Sequence, residues 1–244
     1  MREKVLNYLE ETKGDFISGE QIATDLKITR TAVWKHIKYL RELGYDIEST
    51  KKMGYKLNIN SDILSYVKVN THLDKAIDIK IYKQLSSTNK EIRQYTNKFL
   101  VIATEEQTEG IANGGSKFYS PDGKGVYMSI LMQPNLKLGD IHTFMDLINS
   151  AIVNGIEKNT TVRLSISDKN DILYEDKKLG GILSQVNYEY VTQDIYEIII
   201  GIGMYIYSGN YFSLWDILGK YCNRSEIIAS IINEIYADIS IFLD

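Results

Sequence analysis

The sequence predicts an α+β fold in two domains, a small helical domain that ends in a hairpin and a larger domain of strands and helices. Apolar residues recur at three- and four-residue spacing up to Gly44, which is typical of short amphipathic helices. From Ile77 onward, apolar β-like runs are interspersed with helical stretches, which favours the α+β class. Between Leu57 and Ser65 the chain is polar and lacks a strong period, so we place the domain boundary there. The predicted division is residues 1–60, a linker at 61–66 and a second domain at 67–244.

Composition narrows the classes of protein and of site. The chain has 244 residues and one cysteine, Cys222, so neither an intrachain disulfide nor a metal site built from several thiolates is expected. We expect no metal site and a reducing, cytoplasmic setting. No run approaches the roughly eighteen apolar residues of a membrane span, so no membrane contact is expected.

Charge is distributed unevenly. The whole chain has a net charge of −4. Residues 1–60 hold 11 Lys or Arg against 9 Asp or Glu, a balance of +2, whereas the remainder holds 17 against 23, a balance of −6. The first domain is therefore the part suited electrostatically to a polyanion.

Two helices are predicted first. The segment from Arg2 to Glu11 is amphipathic, because its apolar residues share one face. These are Val5, Leu6 and Leu9. Ser18 followed by Gln21 is a capping-box pattern that begins a second helix, with Ile22 and Leu26 buried.

A third helix and a hairpin complete the first domain. Thr29 is the predicted N-cap, and Gly44 the C′ residue that ends the helix. The predicted inward stripe consists of Val33, Ile37, Leu40 and Leu43. "YDIESTKKMGYKLN" contains two β-like runs around a Lys-Lys-Met-Gly turn, which indicates a hairpin.

This order of elements resembles a winged helix-turn-helix domain, whose third helix enters the major groove while the hairpin follows the backbone. The resemblance implies double-stranded operator DNA as a partner. Exposed base-reading and phosphate-binding candidates lie on the third helix and at the hairpin tip. They are Arg30, Thr31, Lys35 and His36, then Lys51 and Lys52. For any one of these charges taken singly, solvation of a surface helix is the favoured interpretation, so the prediction depends on the whole pattern.

The second domain is predicted from apolar runs and two helical stretches. The β-like runs are "IDIKIYKQL", "FLVIATEEQ", "GVYMSILMQ", "KKLGGILSQVNY" and "IYEIIIGIGMYIY". The helical stretches are Asn89 to Thr96 and about Ile141 to Asn159, and the C-terminal segment predicts a short helix followed by a long one.

Four pieces of this domain, in order, resemble the biotin–protein ligases, in particular the type fused to a winged helix that represses biotin genes. They are "SSTN" at 86–89, "EEQTEG" leading into "SPDGKGVYMS", "NDILYEDKKLGGIL" at 170–183 and "IIIGIGMYI" at 198–206. The resemblance implies a class II synthetase-like mixed sheet, biotin as a ligand and a homodimer on DNA.

The resemblance also implies a set of ligand-binding residues. Matching positions for the biotin pocket are Ser87, Thr88, Asn89, Gln107, Gly110 and Tyr127. Lys178 matches the lysine that meets the carboxylate or acyl-phosphate end, and Gly181 packs beside the ligand. Other interpretations are open: Ser87 and Thr88 could simply cap a helix, Tyr127 could be an ordinary strand aromatic and Lys178 could be solvated.

The chain departs from the family where an adenylate would be made. The family's glycine–arginine loop is replaced by "GIANGG" at 110–115. The neutral residues Ile111, Ala112 and Asn113 thus stand where the family has a cationic loop. Ser167 takes the position of the catalytic lysine, and Lys169 is two residues away, which on a strand is about 6 to 7 Å. Tyr205 stands where an asparagine is usual.

The end of the sequence is a further departure. It ends at Asp244 after the long helix, so we expect no C-terminal SH3-like β domain.

These departures favour a transcriptional regulator with a catalytically inactive ligase-like domain. It would repress biotin synthesis or transport genes and sense biotin or a related small carboxylate, with ATP and Mg²⁺ not expected as cofactors. One alternative is a working repressor and ATP-dependent ligase that attaches biotin to acetyl-CoA carboxylase, using Lys178 and Lys169 with Lys117. Another is a DNA-binding protein whose pocket takes a lipoate-like or other acyl group.

Overall fold

The computed structural model describes residues 1–59 and 61–243, and the chain divides into two compact units, Met1–Ile63 and a second that starts at Leu64. The predicted ends at Asn60 and Asp244 lie outside the described residues. The predicted linker, 61–66, is shared between the units: Ser61 Oγ accepts from the Asp46 N–H at 3.0 Å, while Leu64 is buried in the core of the second.

The first unit contains three helices and a hairpin, as predicted. The elements are α1 (Arg2–Glu11), α2 (Gly19–Asp25), α3 (Arg30–Glu42), β1 (Ile47–Thr50) and β2 (Gly54–Leu57). Its core includes the buried residues of all three helices together with Tyr45, Ile47 and Leu57. Antiparallel pairing of β1 with β2 confirms the predicted hairpin.

Both predicted N-caps are confirmed. Ser18 Oγ accepts from the Gln21 N–H at 3.0 Å, and Thr29 Oγ1 accepts from the Ala32 N–H at 3.1 Å. The reciprocal half of the capping box was wrong, because the Gln21 side chain donates to the Asp25 carboxylate instead.

The predicted inward stripe of α3 is correct except at its end. Leu43 is 47% exposed, because the helix ends at Glu42 and the chain turns at Gly44, whose φ is +96°. Tyr45 is buried in the core just beyond this turn. Arg41 then fixes β1 against the helix, with Nε and Nη2 donating to the Ile47 carbonyl at 2.9 and 2.6 Å.

The second unit is built on one mixed sheet. Its strands are β3 (Ile79–Leu85), β4 (Phe99–Gln107), β5 (Gly125–Met132), β6 (Leu136–Lys137), β7 (Ser165–Ile166), β8 (Asp171–Tyr174), β9 (Lys177–Tyr188) and β10 (Asp194–Tyr205). The strand order is β3-β4-β5-β10-β9-β8-β7, and β6 pairs with β10. The β3–β4 pair is parallel and the other pairs are antiparallel, which confirms the mixed sheet.

Helices of the second unit cover the sheet. They are α4 (Tyr66–Asn70), α5 (Thr88–Ile92), α6 (Ile141–Thr160), α7 (Leu214–Leu218) and α8 (Arg224–Ile239), with 3-10 turns at Asn113–Gly115, Leu138–Asp140 and Ser240–Phe242. The main core joins buried residues of α6 and α8 to the strand positions that include Met128 and Ile200. A smaller cluster joins Ile92 of α5 to alternate strand positions such as Leu131 and Ile199, so α5 packs on the opposite face.

Three predictions at this level need correction. The helix at α5 ends at Ile92 rather than Thr96, and α4 begins inside the predicted linker, where Ser65 accepts from the Lys68 N–H at 3.3 Å. The short strands β6, β7 and β8 were not predicted, because two- to four-residue strands carry little periodic signal.

A buried ion pair ties together distant parts of the second unit. Arg224 Nη1 donates to Glu105 Oε2 at 2.7 Å and to the Gly125 carbonyl at 3.2 Å, and both side chains are almost fully buried. Glu105 Oε1 also accepts from the Leu64 N–H at 2.6 Å. This network fixes the start of the unit and of α8 against β4, the strand that ends at Gln107.

None of the helices within residues 1–59 and 61–243 is both long and apolar enough to cross a membrane.

Candidate functional site

A cleft lies on the sheet face that carries α5. Its floor includes Gly201 and Gly203 of β10, which lie on the same face of the strand as Ile199. The lining residues are Ser87, Thr88, Asn89, Gln107, Ile111, Ala112, Asn113, Phe118, Met128, Asp171, Lys178, Gly181, Ile182, Leu183, Gly201, Ile202 and Gly203.

One wall is a set of four hydrogen-bonded side chains that we call the α5 cluster: Thr88, Asn89, Gln107 and Ser129. The N–H and Oγ1 of Thr88 donate to Gln107 Oε1 at 2.9 and 3.2 Å. Ser129 Oγ lies 2.7 Å from Thr88 Oγ1 and also hydrogen-bonds to Asn89 Oδ1. The cluster therefore offers hydroxyl and amide groups, which can donate and accept, at the inner end of the cleft.

The absence of side chains at the floor glycines leaves space for the neighbouring side chains of the cleft. A Cβ on Gly201 would lie 2.5 Å from the Asn89 amide oxygen, and a Cβ on Gly203 would lie 2.5 Å from the Phe118 ring. Asn89 and Phe118 therefore pack directly on the backbone of β10.

The loop from Gly110 to Lys117 forms the opposite wall and is folded onto the sheet. The Phe118 N–H donates to the Gly110 carbonyl at 2.8 Å. Asn113 Nδ2 donates to the carbonyls of Lys169 and Ile182 at 2.9 and 3.0 Å. The side chain of Asn113 thus fastens the loop to β9 and to the turn before β8.

Basic residues are scarce around the cleft. Of the Lys, Arg and His side chains in residues 1–59 and 61–243, only Lys178 lines it. Its Nζ lies 2.6 Å from Asp171 Oδ1, and its side chain is half exposed. Lys117 and Lys169 are exposed on the surface outside the lining.

Ser167, which the resemblance places at the catalytic lysine, is engaged within its own turn. Its Oγ accepts from the N–H groups of Lys169 and Asp171 at 3.3 and 3.2 Å. Together with Asn113 and Lys178 it makes up what we call the loop side of the cleft.

Two predicted ligand-binding residues do not line the cleft. Tyr127 lies on the correct face of β5, but its ring is fully buried beneath the loop, edge-on to Phe118, and its hydroxyl donates to the Pro121 carbonyl at 3.2 Å. Burial raises the pKa of the Tyr127 hydroxyl, which stays neutral. Gly110 is buried against Phe118 and Ser120, so it acts as a packing position for the loop. The structure places the other six predicted residues in the lining: Ser87, Thr88, Asn89, Gln107, Lys178 and Gly181.

Several residues of the cleft and its walls were missed. Ser129 could have been predicted, because it lies two residues after Tyr127 on β5 and therefore on the same face of the sheet. Ser120 accepts from Gln107 Nε2 at 2.9 Å, and Phe118 caps the floor, but neither contact has a local sequence signal. The sequence indicates Asn113 only as a neutral residue in the place of an arginine.

A second candidate surface lies in the first unit, between α3 and the hairpin. Arg30, Lys51 and Lys52 line one cleft there, together with Arg41 and the half-exposed Trp34, which was not predicted. Arg30 also pairs with Glu20 at 3.3 Å, both being exposed.

The other predicted DNA-binding residues lie outside that cleft. Thr31 and Lys35 are exposed, as predicted, whereas His36 is partly buried. Burial first, then the neighbouring Arg2 and the N-terminal amine, lower the pKa of His36, so it is neutral at pH 7. His36 is thus less exposed than the predicted outward side of α3 implies, and its part in DNA binding stays a prediction.

Comparison with known proteins gives two family matches. Residues 2–56 match an HTH domain, and residues 80–204, just over half of the chain, match the biotin/lipoate A/B protein ligase family.

Two relatives are both bifunctional ligase/repressors named BirA. The chain is 31% identical over 211 residues to the bifunctional ligase/repressor BirA of Bacillus subtilis, covering 84% of this chain and 64% of that protein. It is 27% identical over 247 residues to the protein of that description from Escherichia coli, covering 94% and 74%. The chain thus spans less than two thirds of the length of the Bacillus protein.

Solved structures agree on the fold. The biotin protein ligase of Leishmania major in complex with biotinyl-5-AMP superposes with a TM-score of 0.57 at 20% identity, over 69% of this chain and 77% of that one. The Aquifex aeolicus enzyme in complex with biotin and ATP gives 0.55 at 22% identity, over 68% and 71%. The family match over residues 80–204 and this shared fold agree: the chain belongs to the biotin/lipoate A/B protein ligase family.

Proposed function

We propose that the protein is a DNA-binding transcriptional regulator whose ligase-like domain binds biotin, or a related small carboxylate, without activating it. The observation that carries the proposal is the pair of hydrogen bonds that the Asn113 side chain donates. This residue stands where the resembled family has arginine, and its amide is committed to two backbone carbonyls. The loop that would hold phosphates is instead hydrogen-bonded to the backbone of Lys169 and Ile182.

The α5 cluster supports a retained ligand pocket. A ring that carries both N–H and C=O groups needs donors and acceptors at one end of an otherwise apolar site. Thr88, Asn89 and Gln107 line the cleft and supply them, and Lys178 supplies a cation for a carboxylate at the other end.

The residues present do not fit ATP and Mg²⁺. An adenylate forms when a carboxylate attacks the α-phosphate, and the negative charge that develops there requires preorganised cations. Lys178 is already paired with Asp171, and Ser167 is bound to backbone N–H groups.

Calorimetry with the full chain and biotin, in the absence of ATP, tests the ligand. Micromolar or tighter binding is expected. If neither biotin nor its close analogues produce heat, biotin is the wrong ligand, and the same titration with lipoate then tests the other acyl class that the family description includes.

An active ligase is the second candidate, because the curated relatives are described as bifunctional ligase/repressors. It would depend on Lys178, with Lys169 and Lys117 moving in from the surface. Purified protein with ATP, Mg²⁺, biotin and an acceptor domain separates the two candidates. Pyrophosphate release or biotin transfer well above background, lost in Lys178→Met, would establish the ligase.

DNA binding by the first unit is proposed from the cleft that joins Arg30, Lys51 and Lys52. Each lysine that neutralises a phosphate should contribute about 0.9 to the slope of log affinity against log salt. Lys51→Ala and Lys52→Ala should each lower that slope, whereas the exposed Lys75→Ala in the second unit should not. An unchanged slope in both hairpin variants would remove the hairpin from the interface.

A homodimer is proposed as the DNA-binding species, since a dimer reads two half-sites. Sedimentation of the full chain with and without biotin tests both its existence and its dependence on ligand.

A further inference from the structure

An aromatic stack stands at one end of the cleft. The rings of Phe118 and Tyr205 lie 5.4 Å apart and those of Tyr205 and Tyr211 lie 4.5 Å apart, each pair within 10° of parallel. Tyr119 packs on Tyr211 from the side at 5.6 Å. Such offset pairs are more favourable than their buried area alone suggests.

The stack lies where the floor of the cleft stops. Gly201, Gly203 and Tyr205 share one face of β10, since side chains alternate along a strand. The two glycines have no side chain, and Asn89 and Phe118 pack on them. Tyr205 is the next residue on that face and the first to raise a side chain from it. Tyr205 itself is not among the lining residues.

The same end of the cleft holds Lys178. On β9, Gly181 pairs with Gly203 and Gly180 with Met204. Because the strands are antiparallel, Lys178 lies beyond Gly180 in the direction in which Tyr205 lies beyond Gly203. A ligand whose carboxylate reaches Lys178 therefore ends beside the aromatic stack.

The central ring is held in place. The Tyr205 hydroxyl donates to the Tyr119 carbonyl at 2.8 Å, and the Tyr205 side chain is buried between its two neighbours. Displacing it would break that hydrogen bond and both ring contacts.

We propose that the Phe118–Tyr205–Tyr211 stack sets the length of ligand that the cleft accepts. It selects small free acids and excludes acids whose carboxyl carbon carries a further bulky group, such as an acyl-nucleotide. This inference rests on the proposed function, since it concerns the same pocket, and it names the residues that determine specificity there.

Two ligands and three variants of the full chain test the stack. The ligands are biotin and a non-hydrolysable sulfamoyl analogue of biotinyl adenylate. The variants are Tyr205→Asn, Tyr211→Ser and, as a control, Tyr190→Ser, which removes a tyrosine that is 81% exposed between β9 and β10. Tyr211 is itself 42% exposed, so its removal should be tolerated by the fold.

The unsubstituted protein is expected to bind the analogue about tenfold or more weakly than biotin, and Tyr205→Asn and Tyr211→Ser to strengthen analogue binding by about tenfold. Tyr190→Ser should leave the ratio of the two affinities unchanged. If Tyr205→Asn does not fold, Tyr211→Ser decides the question.

Two results would count against the stack. Analogue binding as tight as biotin binding in the unsubstituted protein would overturn its role while leaving the proposed function intact, as would an unchanged ratio in the folded stack variants. If biotin binds none of the proteins, biotin is the wrong ligand, and the role of the stack in selecting it fails with that choice.

Discussion

The two walls of the cleft use their polar side chains differently. In the α5 cluster the side chains hydrogen-bond to one another, as Thr88 does to Gln107 and Ser129. On the loop side, Asn113 binds two backbone carbonyls and Ser167 binds two backbone N–H groups. Lys178 pairs with the Asp171 carboxylate. A ligand can exchange with side-chain hydrogen bonds at little cost, whereas replacing those of the loop side requires the backbone to move. The contrast fits the proposed function, a site that recognises a small acid without holding phosphates.

The largest effect is expected from Gly110→Ala, which tests whether the loop must close over the cleft for ligand to bind. The added Cβ would lie 2.5 Å from the Phe118 carbonyl oxygen, so the loop could not close as it does. Overpacking of this kind costs about 1–3 kcal/mol, so a loss of roughly 100-fold in biotin affinity is expected by calorimetry. Gly139→Ala is the matched control, because no atom lies within 4 Å of its added Cβ. Equal affinities in the two variants would show that loop closure does not contribute to binding.

Thr88→Val tests the α5 cluster directly. The substitution keeps the shape and removes the hydroxyl that joins Ser129 to Gln107. A buried hydrogen bond left unmade costs about 1–3 kcal/mol, so biotin affinity should fall by roughly tenfold or more. Thr96→Val, at an exposed threonine, should have no effect. A folded Thr88→Val protein that binds biotin normally would assign the cluster to structure alone.

The sequence predicted the α5 cluster better than the loop side, for a physical reason. Thr88 and Gln107 belong to short segments whose order along the chain carries the family resemblance. Ser129 follows from strand alternation. Asn113 acts through carbonyls 56 and 69 residues away, and Arg224 pairs with Glu105 across 119 residues, so neither contact leaves a local pattern. Tyr127 was assigned by its position in the family order, whereas its burial depends on how the loop at 118–121 folds.

Most of the fold was predictable on the same grounds. Helices α1 to α3 have clear apolar periods, and α2 and α3 also have side-chain N-caps. Strands β4 and β9 are long apolar runs with the predicted bounds. The order of strands in the sheet and the pairing of β3 with β4 depend on contacts between segments, which periodicity does not report.

Lys178→Met separates charge from shape on the loop side. Loss of the cation leaves Asp171 facing the ligand's carboxylate, so biotin affinity should fall several-fold, while a neutral biotin amide should bind nearly as before. The effect should be modest because Lys178 is half exposed and its charge is screened by solvent. Lys177→Met, one residue away and outside the lining, is the control. Equal losses for biotin and its amide would mean that Lys178 contributes packing rather than charge.

The smallest change in affinity, and the most specific evidence about the loop, is expected from Asn113→Ala. Without its two hydrogen bonds the loop is ordered only when ligand binds, and ordering flexible residues opposes binding. Biotin should therefore bind a few-fold more weakly, and amide hydrogen exchange over residues 111–117 should be faster in the unliganded protein. Asn70→Ala, at an exposed asparagine that ends α4, should change neither quantity. Unchanged exchange would mean that the glycine-rich loop is held by its backbone contacts to Phe118 and Ser116 alone. The contrast between the two walls would then rest on Ser167 and Lys178, and the residue at position 113 would have no share in closing the cleft.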